Sequence, residues 1–190
     1  MMKKSTIFCQ LVDYHDPKQA SDLVRLLNEY AMDPTGGGNP LSDYCRSNLI
    51  SSLATIPHAF SILAYHRPEE NKNDHQVADT TTTAAAAVGL VNCFEGFSTW
   101  QCHPLINIHD LFVSKDYRGK GVATAMLCAI QEKAEQKRCC KLTLEVLQGN
   151  APAVTTYEKF GFKGYELEEG SLLGRAMFFQ KQLVYPNEIK

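Results

Sequence analysis

The residues best suited to chemistry stand together at Tyr117-Arg118-Gly119-Lys120-Gly121-Val122-Ala123, between a strand pattern and a helix pattern. Glycines let the backbone pass close to a ligand, and the free N–H groups of the turn and of the first helical turn aim positive partial charge at an anion. The segment reads as a pyrophosphate cradle, with an ordinary strand-to-helix turn as the plain alternative. It is not a nucleoside-triphosphate loop, because no Gly-Lys-Ser/Thr follows, and the third glycine of a dinucleotide fingerprint is missing. Further on, Asn150 offers an N-cap with Pro152 in the first turn, and Tyr157 lies seven residues later on the same helix face. Cys93, Cys102, His103 and His109 could be drawn as a metal set, but their spacing matches no common structural zinc site, so no metal is expected. The adjacent Cys139 and Cys140 read as core, since neighbouring cysteines rarely form an unstrained bridge.

These residues need elements to hold them. Residues 6 to 12 read as a strand, and Pro17 to Met32 as a helix in which Ala20, Leu23, Val24 and Leu27 recur at helical spacing. Asp33 to Pro40, with two prolines and three glycines, is a loop. A second helix starts after Ser42, with Tyr44, Cys45, Leu49 and Leu53 facing inward, and stops before Pro57; His58 to His66 is a strand. The polar stretch from Arg67 to Thr83 reads as a mobile hairpin loop rather than a domain boundary. Strand character returns at Val88 to Phe94 and Leu105 to Val113, joined by a turn region holding Phe97 and Trp100. After the Ser114 to Gly121 turn, Val122, Met126, Ile130 and Ala134 recur every fourth residue as the inner stripe of a helix. Leu142, Leu144 and Val146 then alternate as a strand, Gly161 ends the Asn150 helix, and strands at 162–167 and 175–184 close the chain. The order is mixed α/β, with helices between strands.

Size and charge bound the function. A chain of 190 residues suits one domain with a full hydrophobic core, here taken as 1–190. A formal net charge of −2 supplies no field for gathering nucleic acid or anionic lipid, so neither is expected as a partner. No apolar run approaches the roughly 20 residues that cross a bilayer, and the N-terminus reads as no signal peptide. Seven cysteines, an odd number without a Cys-x-x-Cys pair, fit a reducing cytoplasm, with most of them expected as buried small hydrophobes.

Arg118-x-x-Gly121-x-Ala123 is similar to the acetyl-CoA signature of the GNAT acetyltransferase superfamily, and Asn150-Ala151-Pro152-Ala153, then Tyr157, then Gly161-Phe162, resembles its second signature. The resemblance covers about residues 85 to 165 well and agrees before that only in element order. It implies a GNAT fold: a mixed, mostly antiparallel sheet of six to seven strands, splayed between strands 4 and 5 and flanked by about four helices. Acetyl-CoA would lie in the splay. By matching, its pantetheine arm would pair with the backbone of Leu111, Phe112 and Val113, and its pyrophosphate would rest on Arg118, Gly119, Lys120, Gly121, Val122, Ala123 and Thr124, with Asn150 near the pantetheine or phosphates.

Tyr157 matches the family's general acid. A phenol of pKa about 10 stays neutral beforehand and can protonate a departing thiolate. An amine acceptor must itself lose a proton before it attacks, and two residues compete to take it. Glu145, twelve residues before Tyr157, resembles the base of the protein N-terminal branch. His109 stands where polyamine and thialysine acetyltransferases carry a Glu before the Asp. An imidazole of pKa about 6.5 is a competent base but brings no negative charge for a polycation, which weakens the case for a polyamine. In a regular strand Asp110 points away from His109. The acceptor pocket is expected to draw on Tyr30, Asp33, Gly37, Phe97, Trp100 and Asp110.

The resemblance thus implies a cytoplasmic acyltransferase that moves an acetyl group from acetyl-CoA to a small primary amine by direct attack, with coenzyme A as co-substrate and no metal. Many relatives are dimers, which leaves a homodimer open. Two rivals differ in kind: a protein N-terminal or lysine acetyltransferase with an open peptide groove, and a CoA-binding sensor without turnover.

Overall fold

Three of the helices begin where a side chain satisfies the first free N–H groups. Asp16 accepts from Lys18 and Gln19 at the head of α1 (Pro17–Met32), Ser42 accepts from Cys45 at α2 (Asp43–Ala54), and Asn150 accepts from Ala153 at α4 (Ala151–Phe160). The fourth, α3 (Val122–Gln136), starts at Gly121 with no side-chain cap. The strands are β1 (Thr6–Leu11), β2 (Ala59–Arg67), β3 (Ala86–Ser98), β4 (His103–Val113) and β5 (Leu142–Leu144), and short 3-10 turns occupy Pro34–Gly36 and Lys115–Tyr117. The computed structural model describes residues 6–68 and 85–164. Most of the polar 67–83 loop, and the strands expected at 162–167 and 175–184 from residue 165 on, lie outside the described residues.

Among the described residues the sheet has five strands in the order β1-β2-β3-β4-β5, antiparallel except for the parallel pair β4 and β5. One face packs on α3, whose Val122, Met126, Ile130 and Ala134 are buried, as their fourfold spacing predicts. Each large member of such a stripe stabilises by about 1.5–3 kcal/mol. The other face packs Leu63, Leu90 and Phe112 against Leu23, Leu26 and Leu27 of α1 and Leu53 of α2. Tyr44, expected inward, is exposed at 58%, because α2 turns only part of its surface to the sheet.

Two local features shape the site. β5 pairs with β4 only at Ile106↔Leu142, Asn107↔Thr143 and Ile108↔Leu144, so β4 runs on from His109 to Val113 with no β5 partner and the sheet opens there. Val146, expected as the next inward strand residue, lies past the end of β5 and is exposed. At the mouth of the opening β4 carries a bulge: Ile108 pairs with Cys93 and Asp110 with Asn92, which leaves His109 as the extra residue. Ile106 and Ile108 therefore face α3, while beyond the bulge it is Leu111 and Val113 that do so. The regular-strand expectation fails here: the His109 ring meets Phe94 edge-on at 5.5 Å on the α1/α2 side, and Asp110 bonds to Asn92. The cysteine expectation fails as well, since Cys93 alone of the seven is buried and Cys102 and Cys128 are exposed.

Candidate active site

Where β4 and β5 part, a cavity of about 1170 Å³ opens between β4, the residues after β5, the head of α3, α4 and the end of α1. Its floor at one end is the turn 117–124. Gly119 and Gly121 have φ of +71° and +81°, a backbone conformation that side chains disfavour, and a Cβ at either would meet nothing within 4 Å. The uncapped start of α3 leaves backbone N–H groups of its first turn without intrahelical partners, beside these glycines. Gly119, Gly121, Val122, Ala123 and Thr124 all line the cavity. A pyrophosphate fits this donor set. Lys120 is the exception among the expected cradle residues: it lies outside the lining, with its ammonium 5.1 Å over the Tyr117 ring.

Arg118 also lines the cavity, but its side chain is engaged elsewhere. Nη2 donates to Asp33 Oδ2 at 2.8 Å, Nε donates to the Val113 carbonyl at 3.0 Å, and the guanidinium lies 5.6 Å from the Phe112 ring centre. The Arg118 side chain thus braces the turn, and the groups that the turn leaves free for an anion are its backbone N–H groups. Asp33 is correspondingly used up. Its carboxylate is buried, Oδ1 accepts from the Thr35 N–H and hydroxyl, and the Arg118 guanidinium, followed by the Thr35 N–H, holds its pKa down at about 2. It does not line the cavity.

Tyr157 projects from α4 into the cavity, half-buried, with its ring edge-on to Phe162 at 5.8 Å. Burial, then the nearby Tyr30 phenol, pushes its pKa up to about 12, so it keeps its proton through the physiological range. Glu145, one residue past β5, and His109, at the bulge, both line the cavity and are exposed. Either can reach solvent. Asn150 caps α4 and lines the same space, so its two expected roles are compatible. Leu111, Phe112 and Val113 form the unpaired stretch of β4 along one wall.

On the acceptor side the expectations divide. Tyr30 lines the cavity, stacked on Phe112 at 5.5 Å, and burial followed by the Asp110 and Asp33 charges raises its pKa. Gly37 is exposed and off the cavity, because its loop turns outward after Thr35. Phe97 and Trp100, exposed at 59% and 86%, sit at the β3–β4 hairpin tip, away from the lining. Asp110 is not a lining residue either, though its neighbours His109 and Leu111 are. The spacing of the sequence does not single out Thr35 and Asn107, yet both line the cavity; Asn107 donates to Thr143 across the middle of the three β4–β5 pairings, one pairing before the sheet parts.

Known proteins agree with this geometry. The chain is 31% identical over 83 residues to thialysine N-epsilon-acetyltransferase of Bos taurus, covering 44% of this chain and 48% of that protein. It is 40% identical over 53 residues to the probable spermine N(1)-acetyltransferase of Bacillus subtilis subsp. natto, covering 27% and 35%. The chain thus matches about half or less of the length of these two relatives. In structure it is similar to the aminoglycoside acetyltransferase AAC(6')-Iy in complex with a bisubstrate analog of CoA, with a TM-score of 0.64 and 16% identity over 94% of this chain and 99% of that one. The ribosomal-protein-alanine N-acetyltransferase of Brucella melitensis biovar Abortus 2308 gives 0.56 and 18%, over 86% and 99%. At these identities the two structures speak for the fold. The sequence pattern of the acetyltransferase (GNAT) family matches residues 48–162, which include both signatures and the opened sheet, and the chain belongs to that family.

Proposed function

We propose that the protein is an acetyl-CoA-dependent N-acetyltransferase whose acceptor is a small primary amine, working through a ternary complex. The observation that carries this is the start of α3: it alone among the four described helices lacks a side-chain cap, and it faces the cavity behind two glycines of positive φ. Acetyl-CoA would supply the activated acyl group. The turn 119–124 would hold its diphosphate through backbone N–H groups, and the unpaired edge at Leu111 to Val113 would take its amide-bearing arm as a strand takes a neighbour. Tyr157, kept protonated by burial, would hand a proton to the departing sulfur. Glu145 or His109 would receive the proton that the amine gives up. Sequence relatives named for spermine and thialysine support a small amine over a peptide.

The test is thiol release from acetyl-CoA with thialysine, spermine, sisomicin and an alanine-initiated peptide. Turnover of a small amine well above the peptide is expected; peptide turnover alone would favour the N-terminal branch, and none at all a sensor. Tyr157→Phe should lower kcat about 10²-fold with little change in acetyl-CoA affinity. If Glu145 is the base, Glu145→Gln moves the acidic limb of the kcat/KM profile and His109→Gln leaves it in place; if His109 is, the pattern reverses.

A further inference from the structure

Across the α1/α2 face of the sheet, otherwise built from Leu63, Leu90 and Phe112, runs one polar row. Tyr14, in the β1–α1 turn, bonds to Ser61 of β2 at 2.9 Å; Ser61 bonds to Asn92 Oδ1 of β3 at 2.6 Å; Asn92 Nδ2 donates to Asp110 Oδ2 of β4 at 2.9 Å. Ser61 and Asn92 are opposite one another in register, as are Asn92 and Asp110, and the latter pairing exists only because of the bulge at His109. Ser61 and Asn92 are buried, at 1% and 4% exposure.

The proton directions in this row are fixed by chemistry. A carboxylate only accepts, so the amide nitrogen of Asn92 must face Asp110 and its oxygen must face Ser61. Ser61 therefore spends its proton on Asn92 and must accept from Tyr14, whose pKa burial raises and which keeps its proton. Three donors thus point one way, ending on Oδ2 of Asp110. Among the described residues Oδ1 carries no hydrogen bond.

Small apolar side chains at 61 and 92 would suit the surrounding face, and a buried polar row that is fully paired adds little stability over them. Its effect is orientation. We propose that Tyr14, Ser61 and Asn92 are positioning residues that fix the Asp110 carboxylate, half-buried just behind the lining residues His109 and Tyr30, so that its charge, with Oδ1 unspent, holds an ammonium of the acceptor in the cavity. This rests on the reading of the cavity as an amine-acetyltransferase site. It does not require that Asp110 take part in bond making.

The experiment is a double-mutant cycle on the full chain, with acetyl-CoA and whichever of thialysine, spermine or sisomicin turns over fastest. Asp110→Asn should raise the acceptor KM about 10-fold and leave the acetyl-CoA KM unchanged. Ser61→Ala should raise the acceptor KM about 5-fold alone, and less than about 2-fold in the Asp110→Asn background, because the row acts through the charge that is gone. Tyr14→Phe, which keeps the ring, should show the same dependence with a smaller effect, and serves if Ser61→Ala does not fold. Equal effects of Ser61→Ala in both backgrounds, or equal effects on both substrates, would reduce the row to packing and overturn the proposal while leaving the Asp110 charge as an influence on the acceptor. An acceptor KM untouched by Asp110→Asn, or no turnover of any amine, would overturn the acceptor reading and the positioning proposal together.

Discussion

Two glycine-bearing loops, Asp33 to Pro40 and Ser114 to Gly121, look alike in composition and behave in opposite ways. The second runs into the head of α3 and presents N–H groups to the cavity; the first leaves the tail of α1, where carbonyls gather and the partial charge is negative. Their glycines also differ in purpose. At Gly121 a Cβ would stand in open space but on a backbone of positive φ, whereas at Gly36 it would lie 2.0 Å from the Tyr30 carbonyl oxygen. One loop keeps glycine for a turn of positive φ beside the cavity, the other for contact with its own helix. What separates them is the polarity of the helix each adjoins. One ion pair, Arg118 to Asp33, ties the two together.

The contrast breaks most visibly at Gly36. Gly36→Ala should destabilise the fold by about 3 kcal/mol, because the obstacle is backbone and cannot step aside. Urea denaturation would measure this, and acetyl-CoA affinity below the transition should stay as in the parent. Gly121→Ala should do the reverse, with about 10-fold weaker acetyl-CoA binding by calorimetry and a stability loss near 1–2 kcal/mol from the positive φ. Equal effects of the two substitutions on affinity would erase the distinction.

The tie between the loops has the smallest effect and a pH signature. Asp33→Asn keeps an acceptor for Thr35 and loses the ion pair, at about 1 kcal/mol near neutrality, since Arg118 is half exposed and can be solvated. The folded pKa of Asp33 is lowered, from 3.8 to about 2, so its contribution is complete above the unfolded value and disappears as pH falls through the folded one. The stability gap between parent and variant should therefore narrow from pH 4 to pH 2. A gap independent of pH would assign the loss to packing.

Much of this was legible because it is local. The bounds of α1 follow from Asp16, Pro17 and the spacing of Leu23 and Leu27, and the α3 stripe from its fourfold repeat. The turn proposed as a cradle is legible through glycines before a helix. The pairing of Asp33, expected at the acceptor pocket, with Arg118 is not legible, because the two lie 85 residues apart and no spacing encodes it. Phe97 and Trp100 were assigned to a pocket by residue type, yet where a hairpin tip projects is decided by tertiary packing. The row at Tyr14, Ser61 and Asn92 left a trace that went unused: a lone polar residue inside Phe60-Ser61-Ile62-Leu63 and another inside Leu90-Val91-Asn92-Cys93.

The extra residue at position 109 makes β4 a strand with a half-period phase shift. Before it, even-numbered side chains meet α3; after it, odd-numbered ones do. Removing His109 itself would restore plain alternation and leave Asp110 opposite Asn92, with Leu111 and Val113 still on α3, whereas removing a residue further along with the bulge kept would turn everything beyond the cut to the opposite face. A change of one residue is thus tolerable at the bulge and nowhere else in β4, and an alignment that sets a single gap away from His109 would assign the chemistry of this strand to the residues of its core.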